Sequence, residues 1–482
     1  MDATAREKIK SKVLADLEQT PFAATSLRAL SGGTANFIYH ATLATPLADG
    51  TADVLVKHSE GYIANSPTFN LTLFRCRIEE ECLRALSEFS IEEKENATVN
   101  FTVRTPKFHH FDEQNSTQIQ EILRDGKDLK TYALSTYPAN TPEAVRPHWL
   151  QLGRALGQWL RNFHSWSATQ TALRKTVAGN TELQQLKHYI NYSWLLDRVE
   201  QFPSILSEAK GVFEKVKEMA AKELEDESQL PPIHGDFWTG NILLPDRPIE
   251  QSSDVTMFVI DWEMSQIGIP NLDIGQMVAE LYELKLYKDI TAGLWMVQGF
   301  AEGYGAVSDD FAYRTAIQVG AHLVSFGTSV QGWGTSEQVE MVARTGRDII
   351  VHAWQKDLAK ATQAPLLGVG QSQTLFPTPS KKSVSESNQA QTRRELNIED
   401  MFRHIRRNQD YQATRGAPAR DPRRKTTLTP TALPPRSIAR PVIDGAAAHP
   451  RRECAQTARE KQAREVRASS RLRGRRRRRR GA

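Results

Sequence analysis

Two strand-like runs, NILL (Asn241 to Leu244) and TMFVID (Thr256 to Asp261), flank the turn-rich segment PDRPIEQSSDV. If they pair as an antiparallel hairpin, the residue opening the first run and the residue closing the second lie side by side. Those residues are Asn241 and Asp261, and Asp236 stands five positions upstream in PPIHGDFWTG. An amide oxygen and a carboxylate converging on one point suit Mg²⁺, which keeps waters and completes its shell with substrate phosphates. Asp236 is then free to accept a proton from an attacking hydroxyl. That division of labour, a metal on the phosphates and a base on the nucleophile, is what phosphoryl transfer requires.

Phosphate-binding parts are then expected upstream. SLRAL, SGGTAN and FIYHATL read as strand, Gly-rich turn and strand, and the turn offers Ser31, Gly32, Gly33, Thr34 and Asn36. Glycine there lets backbone N–H groups approach phosphate closely. A third strand, DVLVKH, carries Lys57 on the face of Leu55, and an inward ammonium needs a carboxylate partner. The next helix has an apolar stripe of Ile78, Cys82, Ala85, Leu86 and Phe89. By helical phase Glu79 lies nearest that stripe, Glu81 is second and Glu80 points away, so Glu79 is the expected partner with the others left open. Runs near Phe108–Phe111 and Thr117–Leu123, joined by DEQNS, bring the lobe to five strands.

After RDGKD the pattern turns helical, with Leu152, Leu156, Trp159, Leu160 and Phe163 on one face of HWLQLGRALGQWLRNFH. Further helices are expected through LQQLKHYINYSWLLDRVEQF, ILSEAKGVFEKVKEMAAKEL, DIGQMVAELYELKLY, YRTAIQVGAHLVSFG and SEQVEMVARTGRDIIVHAWQKDLAKA. The expected class is α+β: a small antiparallel β lobe over 1–124, a larger helical lobe over 125–362, and a basic tail over 363–482. From Leu366 onward there are 28 Lys+Arg against 10 Asp+Glu, whereas the preceding residues hold 34 against 47. The tail is polar and rich in Pro, Ser and Gln, and reads as disordered apart from a short transient helix in NIEDMFRHIRRNQ. Three cysteines, Cys76, Cys82 and Cys454, form no disulfide framework or metal-ligand spacing. The first residues lack the apolar stretch of a signal peptide and read as a helix opened by a capping box from Thr4 to Glu7. No run is long enough to cross a membrane. A cytoplasmic protein is expected, with nuclear entry or non-specific polyanion contact through the terminal arginines as the tail's alternatives to no role.

HGDFWTGNIL followed by VIDWE, with an upstream Gly-rich turn, VLVKH and an acidic helix, resembles the aminoglycoside phosphotransferase and choline kinase-like family. The resemblance spans roughly Thr25 to Lys360 and implies a protein-kinase-like two-lobe fold. It implies ATP and Mg²⁺ as cofactors, Asp236 as catalytic base, Asn241 and Asp261 as metal ligands, and Lys57 on the α/β-phosphates. It makes Glu121 to Leu123 the strand whose backbone binds adenine, and Asp273 a brace of the catalytic loop. The acceptor would be a hydroxyl on a small molecule, and the acidic body favours a cationic one such as an amino sugar or amino alcohol. Gly235 stands where protein kinases carry Arg, so no activation-loop phosphate has a partner.

Simpler roles are expected for the neighbours. Glu263 reads either as a support behind the metal ligands or, preferred, as simply solvated, Asp273 equally as the N-cap of its helix, and His234 as a hydrogen-bonding support. His164 reads as a packed or capping histidine, and Trp238 and Trp262 either wall an acceptor pocket or, preferred, pack as core. The rival to a kinase is an idle nucleotide-binding scaffold working through its basic tail; that rival expects one of the site residues to be lost.

Overall fold

The computed structural model describes residues 2–31, 33–91, 99–137, 139, 141–250, 253–330 and 332–357. Gly32, Cys454 and the tail from 363 to 482 therefore lie outside the described residues. Helix α1 (Ala3–Leu17) is capped by Asp2, whose carboxylate accepts from the Ala5 N–H at 2.7 Å. The expected Thr4–Glu7 box is not used, because the helix already begins at Ala3 and Asp2 holds the extended conformation a cap needs.

The first lobe runs β1 (Ala24–Ala29), β2 (Phe37–Leu43), β3 (Asp53–His58), β4 (Tyr62–Ile63), β5 (Ser66–Asn70), α2 (Phe74–Leu86), β6 (Asn100–Arg104), β7 (Phe108–Asp112) and β8 (Thr117–Glu121). Five of these form an antiparallel sheet in the order β1-β2-β3-β8-β7. Period-two alternation turns Phe37, Tyr39, Ala41 and Leu43 of β2 inward, where Val54 and Val56 join Val13 and Leu17 of α1. Alternation also points Lys57 to the other face, toward α2. The β6 strand departs from the sequence boundary at 124: it pairs in parallel with a second-lobe strand, Phe101 opposite Val255.

The second lobe supplies β9 (Gly126–Asp128), α3 (Leu129–Thr136), α4 (Arg146–Ser167), α5 (Thr171–Val177), α6 (Thr181–His188), α7 (Trp194–Gln201), α8 (Pro203–Leu206), α9 (Lys210–Glu223), β10 (Pro232–Ile233), β11 (Ile242–Pro245), β12 (Asp254–Val259) and β13 (Gln266–Ile267). It ends with α10 (Asn271–Lys288), α11 (Ala292–Tyr304), α12 (Asp309–His322) and α13 (Ser336–Trp354). A π-helical turn, Tyr189–Ser193, joins α6 to α7. A four-stranded sheet, β6-β12-β11-β9, joins a first-lobe strand to the second lobe, and β11 and β12 are the expected hairpin, Ile242 opposite Val259. No helix among the described residues is long and apolar enough to cross a membrane.

The apolar stripe of α4 buries Leu152, Leu156, Trp159, Leu160 and Phe163 as its spacing requires. Its partner α11, which no sequence segment above anticipated, lies against it at backbone contact. A Cβ at Gly157 would come within 2.1 Å of the Phe300 carbonyl oxygen, and one at Gly299 within 2.0 Å of that of Leu150. Glycine at these points sets the helix separation, because any side chain would have to push the two backbones apart. Gly157→Val is expected to destabilise the protein by about 3 kcal/mol in chemical denaturation. Gly211→Ala, on α9 with open space around the added methyl, is expected to be neutral or stabilising by about 0.5 kcal/mol.

Candidate active site

The loop before β11 is fixed by its own backbone. Gly235 has φ +79°, and a Cβ there would meet the Met264 carbonyl oxygen at 2.2 Å, so only glycine fits. The N–H groups of His234 and Gly235 both donate to Asp273, at 2.9 Å each. Asp273 sits inside the first turn of α10 rather than at its cap, which is Pro270; bracing, not capping, is its work. His164 is buried, as expected, and shares hydrogen bonds with Asp273 Oδ2 at 3.1 Å and the Tyr304 hydroxyl at 3.0 Å. His234 shares one with the Ile260 carbonyl at 3.0 Å, tying the loop to the end of β12.

This frame presents Asp236, half-buried. Its Oδ1 accepts from Lys187 Nζ at 2.7 Å and from Gln276 Nε2 at 2.8 Å. The Asn241 amide nitrogen donates to the Asp236 carbonyl at 2.9 Å and reaches Oδ2 at 3.3 Å. Burial works to raise the Asp236 pKa, but the Lys187 ammonium and these hydrogen bonds outweigh it and hold the carboxyl below its ordinary value. The group therefore stays ionised at neutral pH. Neither Lys187 nor Gln276 was anticipated. Lys187 follows Leu183 by four residues on the buried face of α6, and a lysine on an apolar face was the available signal.

Hairpin pairing brings the other end of β12 alongside: Ile260 N–H donates to the Asn241 carbonyl at 3.0 Å. The next residue, Asp261, adopts the left-handed conformation, φ 67°. Its Oδ1 accepts from Lys57 Nζ at 2.6 Å, and the same ammonium lies 2.7 Å from Glu79 Oε2. Glu79 is therefore the helix carboxylate that Lys57 takes, and Lys57 is buried rather than an exposed strand lysine. Burial works to lower the Lys57 pKa, while Asp261, Glu79 and Glu263 together raise it above its ordinary value. Burial pushes Glu79 up to about 7 in spite of Lys57.

Glu263 corrects the expectation of a solvated residue. It is buried, accepts from Asn36 Nδ2 at 2.8 Å and from Arg75 Nε at 3.2 Å, and lies 4.0 Å from Lys57. The Asn36 oxygen takes Ser59 Oγ at 2.8 Å and Arg75 Nη2 at 3.0 Å, so the Asn36 side chain is committed to this network. Ser31 and Thr34 are exposed and Gly33 is half-buried. The carbonyls of Thr34 and Ala35 accept from Asn65 and Ala64 at 3.1 and 3.0 Å, which anchors the turn. Glu121 grips Arg104 with both oxygens at 2.7 Å, and the Leu123 carbonyl accepts from Gly126 N–H at 3.0 Å. Trp262 is buried core, whereas Trp238 is half-buried under the Lys130 ammonium, 5.4 Å from its ring centroid.

A β lobe joined through a buried lysine to an aspartate of a second, helical lobe is the architecture of a kinase-like phosphotransferase. Residues 46–313, more than half of the chain, match the model described as the phosphotransferase enzyme family, and the chain belongs to that family. It is similar to phosphotransferase FrzJ of Cladobotryum sp, 30% identical over 76% of this chain and 98% of that protein. It is also similar to the 4-hydroxytryptamine kinase of Psilocybe cyanescens, 24% identical over 67% of this chain and 86% of that one. Among solved structures it resembles a choline/ethanolamine kinase family protein from Mesorhizobium loti, TM-score 0.39 and 13% identity, over 75% of this chain and 100% of that one. The protein is a small-molecule phosphotransferase.

The raised Glu79 pKa carries a sign. Because the folded chain binds this proton more tightly than the ordinary 4.5 allows, the contribution to stability is full below that value and is lost as pH rises toward about 7. Glu79→Gln is expected to flatten the fall in stability across this window, read by urea denaturation at its two ends.

Proposed function

We propose that the protein is an ATP-dependent kinase transferring the γ-phosphoryl group to a hydroxyl of a small molecule, with Asp236 as base. The observation that carries this reading is the convergence of Lys57, Asp261, Asn241 and Asp236 at the junction of the two lobes. Asp236 accepts the acceptor's hydroxyl proton as the oxygen attacks phosphorus, and the bond from the γ-phosphorus to its bridging oxygen breaks to release ADP. Lys57, steadied by Glu79, holds the α/β-phosphates. The N–H groups of the turn from Ser31 through Gly33 and Thr34 cover them, with Asn36 acting from beneath through its tie to Glu263. The segment Glu121 to Leu123 receives adenine; the Leu123 N–H donates to no acceptor among the described residues.

Asn241 and Asp261 fit Mg²⁺. The Asn241 nitrogen is taken by Asp236, so the donor left over is its oxygen, and Asp261 has a second carboxylate oxygen beyond the one Lys57 holds. Bound there, Mg²⁺ would neutralise charge building on the phosphates. The relatives' names support a small hydroxylated acceptor: one is called a kinase of 4-hydroxytryptamine. An idle nucleotide-binding scaffold is disfavoured by retention of Lys57, Glu79, Asp236, Asn241 and Asp261 together.

Asp236→Asn is expected to lower phosphate transfer by about 10³-fold while MgATP affinity by calorimetry stays within a few-fold of wild type. Transfer to a panel of hydroxyl compounds, followed by mass spectrometry, provides the comparison, and undiminished turnover in the variant would overturn Asp236 as the base.

A further inference from the structure

Lys187 forms part of the wall of a recess of about 340 Å³, partly open to solvent, to which α6, the π-helical turn, α9 and α12 all contribute. Three of its polar side chains end in buried nitrogens without a hydrogen-bond partner: Arg314 Nη1, Asn191 Nδ2 and His188 Nε2. Arg314 is 8% exposed and Asn191 only 1%. A buried donor left unmatched costs stability, so three around one recess ask for an acceptor. Asn191 sits on the π-helical turn Tyr189–Ser193, a distortion that interrupts the regular helical face and gathers at functional sites.

The kind of acceptor follows from charge. The carboxylate in the wall, Glu223, is already taken, since its two oxygens accept from Arg314 Nε at 2.7 Å and Nη2 at 2.9 Å. Lys187 is likewise matched by Asp236 at 2.7 Å. Burial lowers the His188 pKa, and the Lys217 and Arg314 cations press it further down against the opposing pull of Glu223. An anion is therefore favoured in the recess and a cation is not. A guanidinium N–H can only donate, which a metal ion cannot use. Because Arg314 and Lys187 are each paired already, a singly charged group is better matched here than a phosphate. Ala220, Leu224, Ile269 and Leu272 complete the wall, and suit an apolar body behind the charge.

We propose that this recess binds a small carboxylate with a short apolar chain, its oxygens accepting from Arg314, Asn191 and His188. Lys187, one residue before His188 on α6, is shared between this recess and the Asp236 carboxylate. The carboxylate belongs either to the phosphate acceptor itself or to a separate small acid, and the chemistry that recognises it is the same. Only the first of these sources rests on the phosphotransfer reading above; the carboxylate site does not.

The test uses the full chain and sodium butyrate as probe, against butyramide, sodium chloride and inorganic phosphate at equal ionic strength. Calorimetry is expected to give butyrate a Kd of about 1 mM, the range open to so small a ligand, and to show no binding of butyramide or chloride. Equal binding of butyramide, tighter binding of phosphate, or no binding of butyrate would overturn the site, and these comparisons need no variant. Asn191→Leu removes one unmatched donor while keeping the volume. It is expected to weaken butyrate binding about tenfold and, without butyrate, to melt no lower than wild type; undiminished binding would overturn the assignment. Offering 4-hydroxybutyrate with MgATP separates the two sources. A phosphorylated product by mass spectrometry makes the carboxylate part of the acceptor, whereas binding without product makes it a separate ligand. Transfer to no hydroxyl compound at all, with butyrate binding intact, would fault the phosphotransfer reading and leave the carboxylate site standing.

Discussion

A single buried ammonium joins the two lobes. Lys57 belongs to the first-lobe sheet, its partner Glu79 to the helix behind that sheet, and its other partner Asp261 to the end of a second-lobe strand. An ammonium taken from water into such a place is costly unless carboxylates surround it, and each carboxylate is costly without the ammonium. The three groups are therefore stable only together, which requires the lobes to be closed and α2 to be turned inward. Arg75 repeats the arrangement one layer away, fully buried and shared between Asn36 of the first lobe and Glu263 of the second.

Behind this junction α10 acts as the common support. Along one helix, Asp273 holds the loop backbone at His234 and Gly235, Gln276 holds the Asp236 carboxylate, and Glu280 holds Lys130. A rigid helix fixes the spacing between these groups far better than a loop could. The geometry of the Asp236 carboxylate thus depends on a polar stripe running through a buried helix.

Much of this was readable along the chain, and the limits of the reading are physical. The hairpin could be seen because β strands announce themselves by apolar runs around a turn, and antiparallel pairing then fixes which ends meet. Glu79 was separable from Glu80 and Glu81 because helical phase distinguishes faces. The fate of Glu263 was not visible, since its burial depends on Arg75 and Asn36, both far away in sequence. Helix α11 was missed because AGLWMVQGFAEGY is apolar nearly all round, and a helix buried on all sides shows no stripe. The same segment's glycines, read alone, suggest a loop; only the facing glycines of α4 explain them. The β6 strand was not read at all, since parallel pairing with a distant strand leaves no local trace.

The absence of an arginine beside Asp236 also has a structural reason. At position 235 the backbone requires a positive φ, and the Met264 carbonyl fills the space where a side chain would begin. An arginine could not be accommodated without moving the 262–266 segment, which carries Glu263 and so the link to the first lobe. What orients Asp236 instead is Lys187, delivered from α6, together with Gln276. Both are built into packed helices and need no phosphorylated segment to bring them into place. The Asp236 carboxylate is therefore positioned by the fold itself.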